Sequence, residues 1–110
     1  MDNKCAELDK LLSQETTVDS WYDDGYLIAR DIMTEFLEED WKQLYGLIED
    51  KSVEWKKKLA YSIDNQLIEE ELKVLFCLLD TDDEELLFMC KESLRSFDSS
   101  MIKRFPESNN

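Results

Sequence analysis

A chain of 110 residues has room for one domain, and enough length to bury a core without disulfides or metal. It is 43% hydrophobic and 36% charged, with two glycines and one proline, which argues against a strand-rich fold with breakers at its turns and for an all-α one. Thirteen basic residues against 27 acidic ones give a net charge of −14, a field that repels nucleic acid and anionic membranes and steers basic proteins inward.

Residues 3–14 are expected to form a first helix. Leu8, Leu11 and Leu12, with Cys5 a turn earlier, recur at helical spacing, and Asp2 or Asn3 can cap the start. Between Ser13 and Asp24 the periodicity disappears. In the segment 18–26, VDSWYDDGY, the aromatics Trp21, Tyr22 and Tyr26 stand among Asp19, Asp23 and Asp24, where helix packing does not oblige them. Two readings stand side by side there. Trp21 and Tyr22 are of the residue types that anchor protein interfaces, and Trp21 is also placed to fold back over the open end of the first helix pair.

A second helix is expected from about Asp24 to Leu37, with Tyr26, Ile28, Ala29, Ile32, Met33 and Phe36 as its apolar stripe. The chain then repeats itself. Displaced by 31 residues, 36–63 falls on 67–94 with seven of 28 positions identical, Leu44/Leu75, Leu47/Leu78 and Ser62/Ser93 among them. A period of this size marks a supersecondary unit that buries its apolar face only by stacking on a copy of itself. Each copy reads as a helix, a turn and a second helix: about Glu38–Ile48 with Ser52–Asp64, then about Leu67–Leu79 with Asp82–Phe97. Acidic residues crowd the helix starts, where they complement the macrodipole. At the same offset LIARDI (27–32) matches KLAYSI (58–63), pairing Ile28 with Leu59, Ala29 with Ala60 and Ile32 with Ile63, so the first two helices form a degenerate copy. The expectation is a single helical domain over 1–105, three stacked antiparallel pairs in a short solenoid or compact bundle, with a polar tail at 106–110.

No histidine is present, which removes the commonest general base and metal ligand. Residues 80–92 begin like a calcium loop, but Glu85 stands where glycine is needed and Lys91 where a bidentate Glu is needed. No cofactor, metal or enzymatic activity is expected. Lys56-Lys57-Lys58 is the one basic run, read as a solvated face pairing with nearby acids. Of the three cysteines, Cys77 and Cys90 align with Gly46 and Leu59 at core-type positions, so both are expected buried and Cys5 the more reactive. The amino terminus lacks an apolar signal and no run is long enough to span a bilayer, so a cytoplasmic location is expected.

A small, acidic, histidine-free helical chain with an aromatic-acidic segment resembles the immunity proteins of bacterial contact-dependent and polymorphic toxin systems. The resemblance spans residues 20–97 and includes the W-x-x-x-L-A pattern of Trp55, Leu59 and Ala60. It implies HEAT-like helix pairs and a one-to-one inhibitor that binds a cognate, basic, nuclease-type toxin domain. The alternatives are a nucleic-acid mimic acting as an anti-defence inhibitor, and a structural adaptor in a larger assembly. Candidate partner-binding residues fall into two sets: Glu49, Asp50, Asp80, Asp82 and Asp83 on one edge, and Asp19, Trp21, Tyr22, Asp23 and Asp24 on a separate surface.

Overall fold

The structure, a computed structural model, describes residues 3–14 and 21–102, apart from the side chains of Tyr22 and Asp23. Six α-helices make up most of it: α1 (Lys4–Ser13), α2 (Tyr26–Thr34), α3 (Glu38–Ile48), α4 (Val53–Ser62), α5 (Glu69–Leu78) and α6 (Glu84–Leu94). A single π-helical turn, Trp21–Gly25, leads into α2. The described residues contain no strand. They form two layers. In one, α1 packs on α3 and α3 on α5; in the other, α2 packs on α4 and α4 on α6. Contacts of α1 with α2, of α5 with α6, and of α4 with both α1 and α5 tie the layers together into the expected all-α bundle. In it the first and third helix pairs pack directly, and α3 and α4 are joined mainly through their neighbours.

The repeat acts through its caps as much as through its core. Ser52 and Asp83, one period apart, are the N-caps of α4 and α6; each accepts a hydrogen bond from the backbone N–H three residues on, at Trp55 and at Leu86. Asp40 and Glu71 are likewise equivalent. Each sits in the first turn of its helix and accepts N–H groups of the incoming chain: Asp40 from Leu37 at 2.9 Å, Glu71 from Leu67 at 2.6 Å and Gln66 at 3.0 Å. These carboxylates satisfy backbone donors that the helix leaves orphaned. Between the layers, Trp41/Leu72, Leu44/Leu75, Trp55/Leu86 and Leu59/Cys90 are buried pairwise. Each fully buried aliphatic or aromatic side chain contributes about 2 kcal/mol of transfer free energy.

Two expectations are corrected. Ile28 is 51% exposed although its aligned partner Leu59 is fully buried. The buried residues of α2 are Ala29 and Met33, which match Leu59 and Ile63 at a displacement of 30. Ala29 precedes Trp41 by 12 positions where Leu59 precedes Leu72 by 13, so the buried face of α2 is turned by one position relative to that of α4. Among the thiols, Cys5 and Cys90 are buried while Cys77 is exposed. The core stripe of α5 runs through Leu72, Leu75 and Leu78, which puts Cys77 on the outer side with Lys73, one turn away. Its equivalent Gly46 is exposed as well.

Candidate functional site

The carboxyl ends of α1, α3 and α5 and the amino ends of α4 and α6 meet at one end of the stack. Lysines of α4 and its leading turn tie this end together. Lys51 Nζ lies 2.8 Å from Asp9 Oδ1, which also accepts the indole N–H of Trp55 at 3.0 Å. Burial alone would raise the Asp9 carboxyl, but Lys51, Trp55 and the Ser13 hydroxyl outweigh it and hold Asp9 below its ordinary value. Lys58 Nζ donates to the carbonyls of Gln14 (2.6 Å) and Leu12 (3.5 Å), a cation on the negative end of α1. Lys57 Nζ reaches Asp83 at 3.8 Å and Glu85 at 3.4 Å. Of the basic run, Lys57 pairs with acids of a neighbouring element as the sequence reading expected, whereas Lys58 goes to backbone carbonyls and all three lysines are half-buried, not a solvated face.

With Lys51 and Lys57 occupied, the acids of the same end are left over. Glu49, Asp50, Asp80 and Asp82 are all exposed, and none has an ion-pair partner among the described residues. Glu49 and Asp80 occupy equivalent repeat positions and flank a single groove of about 610 Å³ between α3 and α5, together with Lys56, Lys73 and Cys77. Asp83 belongs to the same edge in sequence, but it is half-buried, and its carboxylate caps α6 and faces Lys57.

Of the second candidate surface, Trp21 is not available to a partner. Trp21 is 2% exposed, a core residue with the Lys58 ammonium 5.6 Å from its ring centroid. Its indole N–H has no hydrogen-bond partner among the described residues. A Cβ at Gly25 would overlap the Trp21 ring, so this glycine is what lets the π-turn close on the indole. Trp21 has folded back onto the first helix pair, and cannot serve as an exposed anchor. Asp24 is exposed; Asp19 and the side chains of Tyr22 and Asp23 lie outside the described residues.

Two further features of the surface were not anticipated. Across the α2–α4–α6 layer runs a groove of about 410 Å³ walled by Tyr26, Tyr61 and Phe88, the last 63% exposed. Tyr26 and Tyr61 meet edge to face at 5.1 Å, Arg30 lies 4.9 Å from the Tyr26 ring, and its guanidinium binds Asp64 at 2.9 Å. Across the other layer, a groove of about 390 Å³ lies between the amino-terminal halves of α3 and α5. It shares Tyr45 and Lys73 with the groove flanked by Glu49 and Asp80, so the α3–α5 face is continuous from Glu38 and Glu69 to the acidic turns. Phe88 and Leu37 were the available signals, since each interrupts the polar side of its own helix or cap. No group of three metal-ligating side chains occurs among the described residues, and none of their helices is long and apolar enough to cross a membrane. Comparison with family models, curated proteins and solved structures finds no match to this chain.

Proposed function

We propose that this chain is a one-to-one protein inhibitor of the immunity type, acting in the bacterial cytoplasm on a basic, nuclease-type toxin domain. The observation that carries the reading is the unequal use of charge at the turn end. Lys51, Lys57 and Lys58 are engaged internally, while Glu49, Asp50, Asp80 and Asp82 face solvent unpaired. Carboxylates in that state produce a local negative potential that accelerates encounter with a cationic surface. Glu38 to Glu49 spans eleven residue steps of α3 and its cap, about 16 Å at 1.5 Å per residue. An interface of ordinary size, about 800 Å² per partner, covers the α3–α5 face from end to end. Inhibition by this route needs no catalytic group; the bound domain is occluded.

Coexpression with the product of the gene immediately upstream tests the proposal. The expected outcome is protection of the cells and a 1:1 complex at micromolar concentration or below. Absence of both would reject the immunity reading and favour an adaptor role.

A further inference from the structure

The groove between the amino-terminal halves of α3 and α5 differs from the other two in charge and in what its margin displays. At the turn end the groove is lined by two acids and two bases, Glu49 and Asp80 with Lys56 and Lys73, none of them ion-paired among the described residues. In the Tyr26–Tyr61–Phe88 groove the charges are closed on one another, Arg30 with Asp64 and Glu92 with Arg95. Around the third groove stand Glu38, Glu69 and Glu70 against Lys42 and Lys73. Lys42 is 3.6 Å from Glu38, and Lys73 lies over the Tyr45 ring at 6.0 Å, leaving an excess of carboxylate. Its half-buried walls are apolar: Phe36, Tyr45 and Ile68, with Trp41 edge to face on Phe36 at 4.8 Å.

Two leucines stand next to these walls with little cover. Leu37 is 74% exposed, and Leu67 is 41% exposed. Leu67 also has φ of 56°, the one left-handed non-glycine residue among those described. That conformation costs a leucine roughly 1–2 kcal/mol. It is held by Glu71, a fully buried carboxylate that accepts the N–H groups of Leu67 and Gln66, with Gln66 Nε2 donating in turn to the Met33 carbonyl at 3.4 Å. The fold therefore expends a buried charge on fixing a connection that exposes a leucine between Gln66 and Ile68, two residues that line an apolar, acid-rimmed groove.

We infer that this groove is the anchoring subsite of the α3–α5 face, and that it takes an apolar side chain flanked by Lys or Arg on the protein partner. Leu37 and Leu67 enlarge the apolar contact, and Glu38, Glu69 and Glu70 receive the flanking cations, which is the complementarity the charge excess demands. The inference rests on the α3–α5 face being the binding face. It adds that the acidic turns steer the encounter while this groove holds the partner.

A backbone amide NMR titration of the full chain tests it with two synthetic peptides of equal positive charge. One alternates Lys and Leu at helical spacing; the other replaces each Leu with Ser. The Lys/Leu peptide is expected to shift Phe36, Leu37, Trp41 and Ile68, and the Lys/Ser peptide to leave these four unmoved. The double variant Leu37→Ser, Leu67→Asn, whose asparagine tolerates the left-handed backbone, should keep the helical spectrum and bind the Lys/Leu peptide about tenfold more weakly. The inference is overturned by shifts confined to Glu49–Asp50 and Asp80–Asp82, by equal responses to both peptides, by unchanged affinity of the double variant, or by no binding at millimolar peptide. The titration needs no toxin, so its failure and a failed coexpression reject different statements.

Discussion

Gly25 has an ordinary helical φ of −57°, so its glycine is required by space and not by backbone conformation. Gly25→Ala must displace the Trp21 ring, at a cost of about 1–3 kcal/mol for overpacking a core position. A red shift of tryptophan emission in the folded variant would confirm the displacement, whereas unchanged stability and emission would show that the indole is not packed there. Glu71 offers a test of a different kind. Burial raises its carboxyl above the ordinary 4.5 and outweighs the backbone N–H groups of Gln66, Leu67, Ile68 and Asn65, which lower it. A raised pKa means that the folded state holds this proton more tightly than the unfolded chain does. Its contribution to stability is then full below 4.5 and lost as pH rises through the folded value. Urea denaturation should show the difference between wild type and Glu71→Gln moving in favour of wild type as pH falls from neutrality to 4.5. A difference that stays constant, or moves the other way, would mean that the N–H groups dominate. The thiols separate by exposure: burial pushes Cys5 and Cys90 up to about 11, and a polar thiol reagent should label Cys77 first and leave those two until unfolding.

At the scale of the helix, the repeat makes matched experiments possible. Ser52→Ala and Asp83→Ala remove equivalent N-caps, and each is expected to cost about 1 kcal/mol in thermal or urea denaturation. Gly46 sits inside α3, exposed, with open space where a Cβ would go. Gly46→Ala should therefore stabilise by about 0.5–1 kcal/mol through helix propensity alone; a loss of stability would mean that the α3–α5 face is more crowded than described. The helices, and the pairing of the first two and of the last two, were legible in the sequence because the apolar stripes, the caps at Ser52 and Asp83 and the acidic first turns all point the same way. Other features were not, each for its own reason. The one-position turn of α2 reflects the shorter spacing from Ala29 to Trp41, 12 positions against 13, and identity at a fixed offset does not register that. Cys77 lies two positions beyond the Val74–Leu75 core pair and one short of Leu78, so its alignment to a side-chain-free Gly46 said nothing about burial. Trp21 stands in no periodic frame at all, and the choice between anchor and core came down to the space above Gly25. The apolar groove is assembled from α2, α3, α5 and the α4–α5 connection, and its exposed leucines occupy cap positions that carry no stripe.

Taken whole, the molecule uses Lys51, Lys57 and Lys58 to hold helices together and leaves carboxylates at both ends of the α3–α5 face. A net charge of −14 makes it a strong attractor of cationic surfaces, and exposed charges are screened beyond about 10 Å at 0.1 M salt. Acids that steer should act on the association rate, and apolar anchors on the dissociation rate. The proposed division of the face into a steering end and an anchoring groove thus predicts kinetic signatures that can be separated. The most direct test is the association rate with the upstream gene product as a function of salt, for wild type and for the variant Glu49→Gln, Asp50→Asn, Asp80→Asn, Asp82→Asn. The wild-type rate is predicted to fall steeply, by about tenfold or more, between low and physiological salt, and the variant to start lower with a markedly shallower slope and little change in dissociation. Salt-independent association of the wild type, or identical slopes for the two proteins, would contradict the account.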